Sequence, residues 1–95
     1  MARSTADVST ASGGKYLQQL CKHWSHKMVT EFDPRQGRVD FPSGAQLFLE
    51  ADESVLRLKL EAPDDSIDRM EGVVADHLKR FAFREELTFD WAKAA

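Results

Sequence analysis

The sequence predicts an α+β fold in which two helices cover one face of an antiparallel sheet. Two segments, residues 15–26 and 67–81, carry apolar side chains at helical spacing. The remaining regular segments alternate apolar and polar residues, as half-buried strands do. Because only one face of each strand is consistently apolar, both helices are expected on that face. The predicted order is β-α-β-β-β-β-α, followed by a tail.

The first strand and the first helix meet at a glycine break. Residues 5–10 alternate in polarity until Ser12-Gly13-Gly14 interrupts the pattern, with Ser12 in position to cap a helix. From Lys15 to about His26 the spacing of apolar residues is helical. The apolar stripe of this helix comprises Leu17, Leu20, Cys21 and Trp24, with Tyr16 at its edge.

Residues 28–61 are predicted to form a run of strands joined by short turns. The first turn falls at Asp33-Pro34-Arg35-Gln36-Gly37, where proline fixes φ and glycine tolerates a positive φ. Further turns fall at Pro42-Ser43-Gly44 and at residues 52–54. Successive strands with such short connections are typical of an antiparallel meander.

A second helix is predicted over residues 67–81, after the polar segment 63–66, whose carboxylates suit the positive end of a helix dipole. Its apolar stripe comprises Ile67, Met70, Val74, Leu78 and Phe81. Residues 87–95 are predicted to form a short strand or an extended C-terminal arm across the core. We interpret residues 1–95 as one domain, since this length suits a single core.

Composition narrows the functional classes. The 95 residues carry a net charge of −3, which argues against a nucleic-acid partner because such binding draws on clustered lysine and arginine. Cys21 is the only cysteine, so neither an intramolecular disulfide nor a cysteine-rich zinc site can form. The sequence contains neither the apolar core of a signal peptide nor the run of about 18 apolar residues that a membrane span needs. We therefore expect a cytoplasmic protein without a membrane partner.

The predicted element order is that of the TATA-binding-protein-like class of α+β sheets. Fold class does not determine function. The outward strand positions carry mixed charge: Glu31, Asp40, Gln46, Glu50, Arg57, Lys59 and Glu61. A minor-groove binder needs a basic, wedge-forming surface instead. Val29 and Phe48 are the apolar residues of this face, and they suggest a homodimer across the open sheet as one hypothesis.

The densest group of polar residues is Cys21-Lys22-His23-Trp24-Ser25-His26-Lys27. His23 and His26 lie three residues apart, a spacing that places two side chains on neighbouring parts of a helix. Two imidazoles can ligate a metal, although a structural zinc site usually takes four ligands. The structural interpretation makes His23 a boundary residue and His26 a cation that stabilises the helix C-terminus. Cys21 points into the apolar stripe, so its pKa should be raised and its thiol inert.

His77 falls on the sheet-facing side of the second helix, where an imidazole needs a hydrogen-bond partner. One interpretation is a core histidine with a single satisfied hydrogen bond. The other is that His77 meets His23 in the groove between the helices, with Asp76 or Tyr16 completing a polar pocket. A metal at His23 and His77 is then a hypothesis, although no cofactor is required by the sequence.

Residues 79–87 interleave basic, aromatic and acidic side chains. We interpret them as a surface helix end in which Phe81 packs inward and Arg84 pairs with a carboxylate. The sequence contains neither a glycine-rich phosphate loop nor a Gly-x-Ser-x-Gly elbow. No motif in the sequence therefore gives specific support for an enzymatic function.

Three motifs carry a resemblance to a known family: Leu20-Cys21-Lys22-His23-Trp24-Ser25-His26-Lys27, Phe41-Pro42-Ser43-Gly44 and Asp76-His77-Leu78-Lys79-Arg80-Phe81-Ala82-Phe83-Arg84-Glu85. From about Ser4 to Trp91 the chain resembles the bacterial family of domain of unknown function 2218. That family has no established activity, and similar domains also occur joined to siderophore-interacting, flavin-dependent ferric reductases. If the family shares a functional surface, the resemblance places it at His23, Trp24, His26, His77, Arg80 and Arg84.

The resemblance implies an accessory role in bacterial iron handling. We therefore expect a non-catalytic binding or accessory module linked to iron or siderophore metabolism, with a siderophore-interacting reductase as a protein partner. The alternative is a histidine-based enzyme that binds a metal or small molecule through His23, His26 and His77. That alternative requires the imidazoles to converge.

Overall fold

The computed structural model describes residues 1–94 and has the predicted α+β element order. The strands are β1 (Ala2–Ser9), β2 (Val29–Phe32), β3 (Gln36–Asp40), β4 (Gln46–Ala51), β5 (Val55–Ala62) and β6 (Ala92–Lys93). The helices are α1 (Gly13–Trp24) and α2 (Ile67–Phe81). Within residues 1–94, neither helix is long and apolar enough to cross a membrane.

The strands form one antiparallel sheet in the order β2-β3-β4-β5-β1-β6. β2 to β5 are the predicted meander. β1 pairs with β5 along its whole length, from Ala2 opposite Ala62 to Ser9 opposite Val55. Because α1 carries the chain across the sheet between β1 and β2, the first strand lies beside the last strand of the meander. The finer likeness to the TATA-binding-protein-like class stays a prediction.

Both helices lie on the same face of the sheet, as the alternation predicted. α1 approaches β3 so closely that a Cβ on Gly37 would lie 3.0 Å from the Cys21 sulfur. α2 contacts β1 on that face, where Ser4 bonds Glu71. The strand residues buried under the helices are Ser4, Ala6, Val8, Val39, Leu47, Leu49, Leu56, Leu58, Leu60 and Ala62. One apolar layer therefore joins sheet and helices.

The entry of α1 differs from the expected capping. Ser12 occupies the N-cap position, but its side chain makes no capping hydrogen bond. Its backbone N–H instead donates to the Thr10 hydroxyl at 3.1 Å. Gly14 faces the turn between β2 and β3 so closely that a Cβ there would lie 2.6 Å from the Pro34 carbonyl oxygen. The glycine break thus allows close packing of the helix entry against this turn.

α1 ends at Trp24, before the predicted end at His26. The Ser25 N–H bonds the Cys21 carbonyl at 2.8 Å, and the Lys27 and Met28 N–H groups then both bond the Trp24 carbonyl, at 2.9 and 3.0 Å. The regular helix therefore gives way to a turn that closes on the Trp24 carbonyl. His26 lies exposed in this turn, so its predicted place on the helix surface beside His23 was wrong.

The tail includes the predicted short strand. Leu87 is buried, and Phe89 and Trp91 are half-buried against the core. β6 then pairs with β1, with Lys93 opposite Ser4. Ala95, the last residue of the predicted arm, lies outside the described residues.

Candidate functional site

A group of aromatic rings lies where α1 and α2 meet. The ring centroid of His23 lies 5.8 Å from that of His77 and 6.0 Å from that of Phe81. The Trp24 ring lies 5.0 Å from His77 and 5.1 Å from Phe41. We call these five residues the interhelical ring cluster. The predicted approach of His23 and His77 is confirmed.

Local helix geometry places these rings. His23 and Trp24 occupy the last turn of α1, while His77 and Phe81 lie four residues apart on α2 and therefore on one side of it. Trp24 is 4% exposed, His77 is half-buried and His23 is exposed. Phe41 follows β3 and packs edge-on against Trp24. The cluster consequently has a buried floor and a solvent-facing rim.

A backbone hydrogen bond fixes the tautomer of His77. Its Nδ1 lies 2.7 Å from the Val73 carbonyl oxygen, which can only accept. Nδ1 therefore carries the proton, and Nε2 of the neutral ring keeps its lone pair. The expected hydrogen-bond partner of the half-buried imidazole is thus this carbonyl. Nε2 can accept a hydrogen bond or bind a cation.

Three other predicted site residues lie outside the cluster. His26, Arg80 and Arg84 are exposed, and within residues 1–94 none of them makes a ring contact with the cluster. The Arg84 guanidinium lies 5.5 Å from the Phe83 ring, and its predicted ion pair is absent from residues 1–94. A role in ligand binding for these three residues stays a prediction.

Within residues 1–94, no hydrogen bond joins Asp76 or Tyr16, the residues predicted to complete the polar pocket, to His23 or His77. Asp76 is exposed on α2. The Tyr16 hydroxyl donates to the Glu85 carboxylate, which fastens the segment after α2 to α1. This hydrogen bond, together with burial and the negative charge of Glu85, raises the pKa of Tyr16.

The sequence did not predict two members of the cluster, Phe81 and Phe41, or the pairing of Glu85 with Tyr16. Phe81 was assigned only to the core, although its spacing of four from His77 was a usable signal. Phe41 was not connected with Trp24, because nothing local relates the end of β3 to the end of α1. Glu85 lies 69 residues from Tyr16, and no local pattern predicts that pair.

The groups that could hold a metal are few. Within residues 1–94, no three His, Cys, Asp or Glu side chains lie together in a way that suits a metal ion. His23 and His77 are a pair, since His26 makes no ring contact with either of them in that part of the chain. The enzyme alternative required three histidines to converge, and within residues 1–94 they do not.

Cys21 is expected to resist alkylation in the folded protein. The side chain is 0% exposed, and burial raises the pKa of its thiol to about 11. At pH 8 the thiolate fraction should therefore be about 200-fold below that of a free cysteine, before burial further limits access. Mass spectrometry after iodoacetamide treatment, in buffer and in denaturant, measures this difference. Native labelling at the rate of the unfolded chain would contradict the buried position.

The outer face of the sheet forms a broad concavity of about 820 Å³. Its charges largely neutralise one another: Arg57 lies 3.1 Å from Asp52 and 3.9 Å from Glu50. The Lys59 ammonium lies 4.8 Å from the centroid of the half-buried Phe48 ring. This is the mixed-charge surface that the alternation predicted. Homodimer formation across it and the lack of a nucleic-acid partner stay predictions.

Comparisons with known proteins identify relatives of the chain. A family model described as "Uncharacterized protein conserved in bacteria (DUF2218)" matches residues 5–92. The NMR structure of PA4090 from Pseudomonas aeruginosa is 42% identical to the chain, with a TM-score of 0.80. The match covers 97% of this chain and 96% of that one. No curated protein matches.

Proposed function

The chain belongs to the DUF2218 family of uncharacterised bacterial proteins, and on that premise we propose that it is a non-catalytic binding module whose ligand site is the interhelical ring cluster. The observation that carries the proposal is the contact of the His23, Trp24 and His77 rings between the two helices. Aromatic rings with polar edges bind flat ligands by stacking and by hydrogen bonds. The binding surface is the exposed rim of the cluster.

The chemistry of the surroundings favours binding over catalysis. The Cys21 thiol, the strongest nucleophile type in the chain, is buried, and its pKa is raised to about 11. A single free cysteine also suits the reducing cytoplasm, where we propose that the protein acts.

The ligand class that we propose is an aromatic chelator in its iron-loaded form, such as a catecholate siderophore. Its flat rings would stack on the rim formed by His23 and His77, above Trp24. Its negative charge would suit Arg80, which is exposed on α2 three residues beyond His77 and therefore on a neighbouring part of that helix. The family resemblance, which implies a link to siderophore-interacting ferric reductases, is the basis for proposing a reductase of that kind as the protein partner.

Fluorescence of Trp24 can test the proposal. In a Trp91→Phe background, Trp24 is the remaining tryptophan, and its ring lies 5.0 Å from His77. An iron-loaded tris-catecholate chelator should quench this emission to saturation. His77→Ala should weaken binding about tenfold, which corresponds to about 1.4 kcal/mol.

His26→Ala is the matched control, because His26 is exposed and lies outside the cluster. This variant should bind the chelator within about twofold of the parent. Calorimetry on the same proteins separates binding from absorption of the exciting light by the chelator. Equal binding by His77→Ala and the parent, or no saturable binding at all, would remove the cluster as a site for this ligand.

A further inference from the structure

We infer that His23 and His77 form a two-imidazole site for a late first-row divalent metal ion, with the remaining ligands supplied by water or a small chelator. The inference uses the site of the proposed function but does not depend on its aromatic ligand. It rests on the distance between the rings, on the hydrogen bond of His77 and on the identity of the neighbouring groups.

The separation of the two imidazoles suits a shared ion. Two imidazoles bound to one tetrahedral zinc, with Zn–N bonds of about 2.0–2.1 Å, have ring centroids about 5–6 Å apart. The centroids of His23 and His77 lie 5.8 Å apart, and their planes are inclined at 45°. His23 is exposed, so its side chain is free to turn a ring nitrogen toward an ion held by His77.

The hydrogen bond of His77 is the kind that supports a metal ligand. A histidine that binds a metal almost always donates its other ring N–H to a carbonyl or carboxylate, which fixes the tautomer and the ring orientation. The Val73 carbonyl takes this role at 2.7 Å from Nδ1. Val73 and His77 both belong to α2, so the helix itself holds this hydrogen bond and leaves Nε2 as the ring nitrogen that can bind a metal.

The identity of the ligands selects the class of ion. Imidazole suits zinc, copper, nickel and iron, whereas calcium and magnesium prefer oxygen ligands. The Cys21 thiol is inside the core and supplies no thiolate. Within residues 1–94 no further His, Cys, Asp or Glu completes a group of three with these imidazoles. The ion would therefore keep open positions toward solvent, where water or a small chelator binds.

Zinc alone is the probe that tests this site. Long-range ¹H–¹⁵N spectra of the full chain, titrated with Zn²⁺, should move Nε2 of His77 and one ring nitrogen of His23 together at one equivalent. The ring nitrogens of His26 should not move. In calorimetry, His23→Ala and His77→Ala should each weaken zinc binding by about tenfold or more, and His26→Ala should not.

Absence of zinc binding would overturn the inference, and so would either of two further results. The first is zinc affinity that is unchanged in both His23→Ala and His77→Ala; His23 is exposed, so its variant keeps the test valid if His77→Ala misfolds. The second is a zinc-dependent dimer in sedimentation, because a second copy would then supply the remaining ligands. Zinc binding without chelator binding supports this site while removing the proposed ligand, and chelator binding without zinc binding does the reverse.

Discussion

Replacing Gly14 with alanine is expected to lower the free energy of unfolding by about 1–3 kcal/mol, because the new methyl group overpacks a tight contact. The same replacement at Gly72 is expected to raise it by about 0.5–1 kcal/mol. Both glycines lie inside helices, where alanine is intrinsically favoured. They differ in the space around them: a Cβ at Gly14 would lie 2.6 Å from the Pro34 carbonyl oxygen, while a Cβ at Gly72 meets nothing within 4 Å.

Alanine at Gly14 lowers the free energy of unfolding because of the atom that its methyl group meets. The Pro34 oxygen is a backbone atom in the turn between β2 and β3, so it cannot move aside by rotating a side chain. Either the entry of α1 or the turn must shift. Gly72 is exposed on α2, so alanine there reduces only the conformational entropy of the unfolded chain.

Urea denaturation of the two variants beside the parent, followed by far-ultraviolet circular dichroism, measures both effects. The midpoints should move in opposite directions while the slopes stay the same. If both variants were stabilised by the same amount, the turn at Pro34 would have to move without loss of stability. That result would contradict the close approach in the structure.

The limits of sequence reasoning follow from the same contrast. The sequence placed Gly14 in a break before the first helix and Gly72 inside the second, but no local pattern shows that only Gly14 lies against another segment. Periodicity predicted both helices and the strand run, because the spacing of apolar residues records which face of each element is buried. Contacts between distant segments, such as Gly14 with Pro34, cannot be predicted from that spacing.

The site was predictable to the same extent. His23 and His77 could be brought together because both lie at helix edges and both helices share one sheet face. His26 could not be placed, because the end of α1 depends on the turn in which Lys27 bonds the Trp24 carbonyl. Phe41 joined the cluster through the packing of β3 against α1, which no local pattern records.

Removing the Glu71 side chain is expected to lower the free energy of unfolding by about 3 kcal/mol. Glu71 is 9% exposed and accepts a hydrogen bond from the Ser4 hydroxyl at 2.5 Å. The same carboxylate lies 3.6 Å from the Lys93 ammonium of β6. In Glu71→Ala the Ser4 hydroxyl, which is 0% exposed, would lose its partner inside the core.

Glu71→Gln separates the hydrogen bond from the charge. The amide oxygen can still accept from Ser4, while the attraction for Lys93 is lost. Since the Lys93 side chain is half-exposed and also lies 2.5 Å from Asp68, this variant should be much less destabilised than Glu71→Ala. Asp68→Ala, at a side chain that is 82% exposed, is the control for loss of surface charge and should change stability little.

A double replacement decides whether Ser4 and Glu71 act as a pair. Replacing both partners of a buried hydrogen bond by apolar groups is often nearly neutral, because no polar atom is then left unsatisfied. The double variant Ser4→Ala/Glu71→Met should therefore be more stable than the sum of the two single effects predicts. The coupling in a double-mutant cycle should be about 1–3 kcal/mol. Simple additivity of the two single effects would instead mean that water reaches both groups. Glu71 would then link α2 to the sheet mainly through its ion pair with the half-exposed Lys93 of β6.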